Sequence, residues 1–391
     1  MKKKSVGIIA EYNPFHNGHL YQIEESVKIT GAEVVIAAMS GNFVQRGMPA
    51  IADKWQRAEA AIRNGVDIVV EIPTVFACNS AHNFAKAGVE ILENLGVDFI
   101  SFGSESGNID ELKEIARAME ENSEYIEEFI SKNIKKGLSY PKARREALAC
   151  LLGEEKAGIL DSPNNILAIE YIGELSKAEP VTVKRTGPGY NDFETTEKFA
   201  SATAIRYLLN ENKDISGLMP KESAKIFLES EIIDEDVYFA MICHKVLSSN
   251  ALDMEKAPAG GEGLGNKLKS SIRMCRNLGE LSEELKSKRY TRTRIDRFIC
   301  QTLLGINREQ KTDNYVRILG LSDKGRKYIK DVKKSEKCKI PIITNINKDI
   351  KSFENIRYGI SVDILAADIY NLAAGRNLYR FSEYLRKPFC E

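Results

Sequence analysis

The chain has 391 residues, 43% of them apolar and 29% charged, and its 56 Lys and Arg are balanced by 56 Asp and Glu. This length leaves room for two or more domains, and the composition is that of a water-soluble globular protein. No stretch approaches 18 consecutive apolar residues, which excludes a recognisable membrane-spanning helix. The start Met1-Lys2-Lys3-Lys4 carries the charge of a signal peptide, but Glu11, Asn13 and Pro14 interrupt the apolar run that follows, so export is not expected. Seven scattered cysteines, with no C-x-x-C and only the adjacent Cys243-His244 pair, point to a reducing cytoplasm, without a disulfide frame or zinc site.

In chain order, residues 6–10 (VGIIA) form an apolar run that predicts a buried parallel strand. The run breaks at Asn13-Pro14, and helical periodicity resumes from Gly18 through Leu20, Ile23 and Val27. His16 and His19, two of the four histidines, fall at this strand-to-helix junction with Gly18 between them. Free N–H groups at a helix start suit a phosphate, and glycine allows close backbone approach to a ligand. Two imidazoles there can donate hydrogen bonds to phosphoryl oxygens or to a leaving pyrophosphate.

The alternation continues with predicted strands at 33–39, 66–72 and 97–102 and predicted helices at 53–64 and 84–95. Strands apolar on both faces, separated by helices, predict an α/β fold with a parallel sheet covered on both sides. Ligands in such sheets bind beyond the carboxyl ends of the strands, so loops 11–17, 40–51, 73–82 and 103–108 should line one cleft. Residues 108–152 read as a charged helical insertion or cap. A helix then runs from Pro163 to Glu174, a fifth strand spans 181–185, a loop follows at 187–190, and another helix opens at Ser201. Beyond Pro220 the pattern is mostly helical, with a glycine-rich flexible joint at 257–265.

Several groups at the predicted cleft suit an anionic ligand. Asn42, Gln45 and Arg46, in a loop flanked by Gly41 and Gly47, offer hydrogen-bond donors, and Lys54 and Arg57 lie near the next helix start. Gly103 marks a turn where an adenine or ribose could rest. Asn164 and Asn165 serve either as caps or as ligand contacts, and Lys184-Arg185 at a strand end suits a nucleotide phosphate or ribose. Ser201, Thr203 and Arg206 repeat the anion-binding logic at a helix start. There is no Ser-His-Asp pattern, no Walker loop and no paired metal carboxylates, so the expected chemistry is positioning and electrostatics at a phosphate, with no protein-held metal.

The neutral total hides a split. Residues 267–339 contain 21 Lys and Arg against 9 Asp and Glu. One cluster surrounds Tyr290 and includes Lys288, Arg289, Arg292, Arg294 and Arg297; a second includes Arg326 and Lys327. Arginine forks grip phosphates and tyrosines stack bases, so this region suits RNA.

The run His16-Asn17-Gly18-His19 resembles the HxGH nucleotidyltransferase superfamily, relatives of class I aminoacyl-tRNA synthetases, and residues 201–206 resemble a variant of its second motif. The strings EYNPFHNGH, MSGNFVQRG, DKWQRAEAAIRNGVDIVVEIPT, FGSE, SPNNILAIEY, KRTGPGY, RYTRTRIDR and RILGLSDKGR resemble the tRNA(Met) cytidine acetate ligase family over nearly the whole chain. That resemblance implies a Rossmann-like domain at 1–215 and a mostly helical, tRNA-binding region at 216–391. It implies activation of acetate by ATP and transfer of the acetyl group to N4 of the wobble cytidine of elongator tRNA(Met).

Carried over by motif, the ATP loop comprises Ile9, Ala10, Glu11, Tyr12, Asn13, Pro14, Phe15, His16, Asn17, Gly18, His19, Leu20, Tyr21 and Gln22, joined by Gly103, Asn164 or Asn165, and Arg185. His16 and His19 are the expected catalytic pair, and Mg²⁺ is expected to be held mainly by the phosphates. Asn42, Gln45 and Arg46 are candidates for an acetate or cytidine pocket, and the seven basic residues above for tRNA contacts. The competing readings are an adenylyltransferase acting on a small phosphorylated metabolite and a non-enzymatic RNA-binding protein with a vestigial nucleotide site.

Overall fold

The computed structural model describes residues 3–185, 200–211 and 213–391; the loop expected at 187–190 lies outside them. Among the described residues there are eight strands: β1 (Ser5–Ala10), β2 (Val34–Ser40), β3 (Ile68–Ile72), β4 (Phe99–Ser104), β5 (Glu179–Lys184), β6 (Val316–Leu321), β7 (Ile342–Ile343) and β8 (Phe389–Cys390). They form one sheet in the order β5-β4-β1-β2-β3-β6-β7, with β8 also on β6. The first five strands are mutually parallel.

The chain builds outward from β1 to β2 and β3, then returns to place β4 on the other side of β1. This reversal opens a crevice between the carboxyl ends of β1 and β4, where a doubly wound sheet binds its ligand. Burial explains the strand sequences, since β2 and β3 are buried at every position. One face, with Ile36, Val70 and Ile100, packs on helices Ala81–Asn94 and Pro163–Glu174. The other, with Ile8, Val35 and Met39, packs on helices Asn17–Thr30, Lys54–Ile62 and Ala202–Asn210. The expected insertion at 108–152 consists of helices Ile109–Glu121, Ser123–Lys135 and Tyr140–Leu152.

A boundary at 215/216 does not divide the sheet. The later half returns β6, antiparallel to β3, and β7 and β8 beyond it. A third core joins Phe43, Val75 and Cys78 from the cleft loops to Ile242, Phe298 and Ala366 of the helical half. The glycine-rich stretch at 257–265 is a packed corner of that core and does not act as a free joint. Ala257 and Leu264 are 2% and 1% exposed, and Ala259 N–H donates to Gln301 Oε1 at 2.8 Å.

A charged cluster ties the later half to the sheet. Lys54 Nζ lies 2.7 Å from Glu71 and 3.1 Å from Glu383, Trp55 Nε1 donates to Glu383 at 2.9 Å, and Arg317 pairs with both carboxylates. Arg57, fully buried, sends its guanidinium to the carbonyls of Glu11 (2.5 Å), Ser40 (3.1 Å), Gly41 and Ala52 (3.1 Å). These carbonyls end β1 and β2 or follow them, and Arg57 supplies donors that a sheet edge cannot. Its role is to shape the cleft rim from behind.

Candidate active site

His16 is the N-cap of helix Asn17–Thr30, with φ −130° and ψ 175°. Its Nδ1 accepts the Gly18 N–H at 3.0 Å, and His19 Nδ1 accepts the His16 N–H at 3.2 Å. This is a capping box in which both box side chains are imidazoles. The rings stack with centroids 3.8 Å apart at 21°. Because each Nδ1 accepts, each ring carries its proton on Nε2, which makes both groups donors toward the cleft. Burial, then the charges of Arg185 and Arg206, draw the His16 imidazole down to about 3. His19 is held well below the usual range by burial, His16 and Arg185. The pair is therefore neutral at neutral pH.

Gly18 has a more local purpose than ligand approach. A Cβ there would sit 2.8 Å from His16 Cε1 and 3.0 Å from Nδ1, so only glycine leaves room for the capping ring. Before the helix, Tyr12 takes φ 47°, a left-handed backbone that costs a non-glycine residue about 1–2 kcal/mol. Its ring is braced against Phe15 at 4.9 Å and edge-on to His19 at 5.0 Å.

A cavity of about 290 Å³ opens over this pair. All four predicted loops reach it, through Glu11, Asn13 and His16, Gln45 and Arg46, Ala81, and Gly103. Arg185, Asn164, Ser201 and Arg206 also line it. Arg206 is held by its donation to the Asn13 carbonyl at 2.7 Å and to Thr203 Oγ1 at 3.1 Å; Ser201 caps its helix through Ala204 N–H at 3.0 Å. A smaller recess that shares both histidines and Arg185 with this cavity is also bordered by Gly18, Tyr21 and Lys184. Ile9, Ala10, Tyr12 and Gln22 complete the β1 side of the cavity.

Other predicted residues stand behind the surface. Phe15 is fully buried, and Leu20 packs against the same core. Pro14 follows a cis peptide bond, and Asn17 donates to the Gly217 carbonyl at 2.6 Å. The asparagine pair divides its roles. Asn165 Oδ1 accepts from the N–H groups of Glu105 (2.9 Å) and Ser106 (3.2 Å), so it shapes the turn after β4 from inside, while Asn164 faces the cleft with its amide on Glu105 at 2.6 Å. Thr203 acts through Arg206. Asn42, 2% exposed, accepts the Lys54 N–H at 2.8 Å as an internal brace, which leaves Gln45 and Arg46 as the cleft members of that trio.

The apolar wall of Phe84, Phe102, Leu167 and Tyr171 was not anticipated. Its sequence signal is the spacing Asn164, Leu167, Tyr171, one stripe of a helix.

The two basic clusters lie at opposite ends of the sheet. Because β6 runs antiparallel to β3, with Leu321 opposite Ile68, the helix that follows it starts at the amino end of the parallel strands. Arg326 there bonds Asp323 and the Glu391 carbonyl, and neighbouring Lys327 is exposed; both are remote from the cleft. Tyr290, 9% exposed, donates to Glu262 at 2.7 Å beneath Arg294, so its ring is not open to a base.

A family model described as HIGH Nucleotidyl Transferase matches residues 3–383, and the chain belongs to that family. Its curated relatives narrow the branch. A tRNA(Met) cytidine acetate ligase of Caldicellulosiruptor bescii is 42% identical over 98% of this chain and 96% of its own. One of Caldanaerobacter subterraneus subsp. tengcongensis is 40% identical over 95% of each. Crystal structures of Thermotoga maritima TmcAL superpose with TM-scores of 0.91 for the apo form, at 32% identity, and 0.89 for the form bound with alpha-thio ATP, at 31%; each covers 99% of both chains. Within the HIGH family, then, this chain stands among the tRNA(Met) cytidine acetate ligases.

Proposed function

We propose that this protein is an ATP-dependent ligase that activates acetate to acetyl-adenylate and acetylates N4 of the wobble cytidine of elongator tRNA(Met). The observation that carries the reading is the stacked His16–His19 pair, neutral and donating from Nε2, at the switch point between β1 and β4. An acetate oxygen attacks the α-phosphorus, the bond to the β-phosphate oxygen breaks, and pyrophosphate leaves with the electron pair. The imidazole donors meet the charge that grows on the phosphates, while Arg185 and Arg206 supply the fixed positive charge. The amine of a flipped cytidine then attacks the acetyl carbon, AMP departs, and the amine loses a proton.

Mg²⁺ fits this site as a companion of the nucleotide. Glu11 is the carboxylate on the cavity wall, and its Oε1 already accepts the Gln45 N–H at 3.0 Å. No group of three metal-ligating side chains occurs among the described residues. A hard cation would therefore take most of its oxygens from phosphates and water, with Glu11 as the available protein ligand, and would screen the triphosphate charge. A tRNA substrate places this reading in the cytoplasm; among the described residues no helix is long and apolar enough to cross a membrane.

The test is incubation with ATP, labelled acetate and bulk tRNA. Acid-stable label in the RNA is the expected result. Pyrophosphate release that depends on a different small metabolite, with no labelled RNA, would replace this reading with a metabolite adenylyltransferase.

A further inference from the structure

The basic segment 286–297 is less uniformly available to RNA than its charge suggests. Arg289 is paired with Glu262 at 3.1 Å. Arg292 is shared between Glu283 at 2.8 Å and Asp296 at 3.0 Å, and Lys286 leans on Glu283 at 3.3 Å. These charges are already neutralised by the protein.

Arg294 and Arg297, one turn apart on helix Arg292–Leu304, differ from them. Arg294 lies over the Tyr290 ring at 4.7 Å and donates Nε to the Ala259 carbonyl at 3.1 Å. That anchors its plane; Glu262, which pairs with Arg289, also feels the Arg294 charge, but among the described residues no carboxylate makes a salt bridge with Arg294. Arg297 is half-buried and makes no hydrogen bond or salt bridge with any described residue, its nearest acidic influence being the charge of Asp296. A half-buried guanidinium without a partner is costly, and it points to an anion that arrives from outside.

The loop after β2 brings a third arginine to the same place. Gly47 has φ 80°, and a Cβ on it would fall 2.5 Å from Arg297 Cα. The loop is thus laid directly on the helix, which sets Arg46, a cavity-wall residue, beside Arg297. Burial, together with the charges of Arg294 and Arg46, lowers the Arg297 pKa. Arg294 and Arg46 thus add positive charge beside the half-buried Arg297, only partly offset by Asp296, and a phosphate arriving at this rim would meet all three guanidinium groups.

We propose that Arg46, Arg294 and Arg297 form a phosphate clamp that grips the RNA backbone beside the target cytidine and aims that base into the nucleotide cleft. The proposal rests on the RNA-acetylation reading above and specifies which basic residues serve it. A triphosphate is the other source of the same chemistry, and the topology argues against it. β2 and β5 stand on opposite sides of the β1–β4 pair, so Arg46 and Arg185 approach the cleft from opposite flanks, and Arg185 shares its flank with the histidines. The Arg294 guanidinium fork, held by stacking and a backbone bond, suits phosphate, whose recognition carries no base preference.

The test compares Arg294→Gln, Arg297→Gln and Arg297→Lys with Arg289→Gln. Loss of a clamp arginine should raise the KM for tRNA by about tenfold. It should also flatten the dependence of log(kcat/KM) on log salt by about 0.7 per lost contact. The KM for ATP in acetate-dependent pyrophosphate exchange, measured without RNA, should be unchanged. Arg297→Lys should retain most of the salt slope, and Arg289→Gln should change tRNA affinity by less than about twofold, as a surface ion pair predicts.

A rise in the KM for ATP in RNA-free exchange would reassign the cluster to the triphosphate. A lowered Tm with tRNA KM and salt slope both unchanged would reduce it to a structural contact. If the wild-type protein labels no RNA, the acetylation reading fails by itself. Direct binding of tRNA to the same variants still reads the clamp, and equal affinity for all of them would overturn it.

Discussion

His19 Nδ1 accepts the backbone N–H of His16 while His16 Nδ1 accepts the N–H of Gly18, so each histidine is both a helix cap and a cleft donor. The capping geometry selects the tautomer. A residue that keeps the cap without an imidazole therefore separates structure from chemistry.

His16→Asn retains an N-cap acceptor and should leave stability within a few tenths of a kcal/mol of wild type, whereas His16→Ala should cost about 1 kcal/mol. Both should slow acetate-dependent pyrophosphate exchange by about 10²–10³-fold, the loss seen when one preorganised donor is removed. Thermal unfolding and exchange rates measured together check the separation. Exchange at the wild-type rate in His16→Asn would remove His16 from the chemistry.

The depressed imidazole pKa values give a direction to acid stability. The folded protein keeps His16 and His19 neutral, while the unfolded chain protonates them near 6.5, so it binds more protons as pH falls. Their contribution is present in full above 6.5 and is lost progressively toward the His16 value of about 3. Denaturant unfolding between pH 7 and 4 should therefore fall less steeply in His16→Asn/His19→Asn than in wild type. RNA-free exchange should show no acid limb between pH 6 and 7, since the donors need no added proton.

Gly18→Ala tests whether the capping ring can shift. The added methyl meets His16 Cε1 at 2.8 Å and disturbs the N-cap, a loss of about 1 kcal/mol that the helix propensity of alanine over glycine offsets by a similar amount, so net stability should change little. Displacement of the ring should lower the exchange rate by about tenfold or more, since misplacements near 1 Å carry costs of that order. A wild-type rate would show that the His16 ring position is not critical.

Lys54→Met leaves Glu71 and Glu383 with Arg317 as their remaining cation in a dry site. Breaking such a buried cluster costs about 3–5 kcal/mol. Adding Glu71→Gln should recover part of the loss, because the two residues share one network and their effects do not add. Urea unfolding of the single and double variants reads this coupling, and strict additivity would refute the network.

Local features of the chain determined the strands, the loops that form the cleft and the histidine pair. Apolar runs, turn residues and helix starts are short-range patterns that burial and capping impose on each segment separately. The run VGIIA followed by the HNGH turn predicts a strand and a phosphate-facing helix whatever the distant chain does.

Partnership was decided by tertiary structure. Asn164 and Asn165 are equivalent in composition, and only the turn after β4 sends one inward and the other to the cleft. Arg57 reads as a cleft cation near a helix start until the ends of β1 and β2 present it with unsatisfied carbonyls. The antiparallel placement of β6 carries Arg326 and Lys327 to the far end of the sheet from the cleft, and acidic neighbours form salt bridges with Arg289 and Arg292 but not with Arg294 and Arg297. The physical reason is the same in each case. Whether a charge or amide is free depends on contacts such as Trp55 with Glu383, 328 positions apart, which no local period encodes.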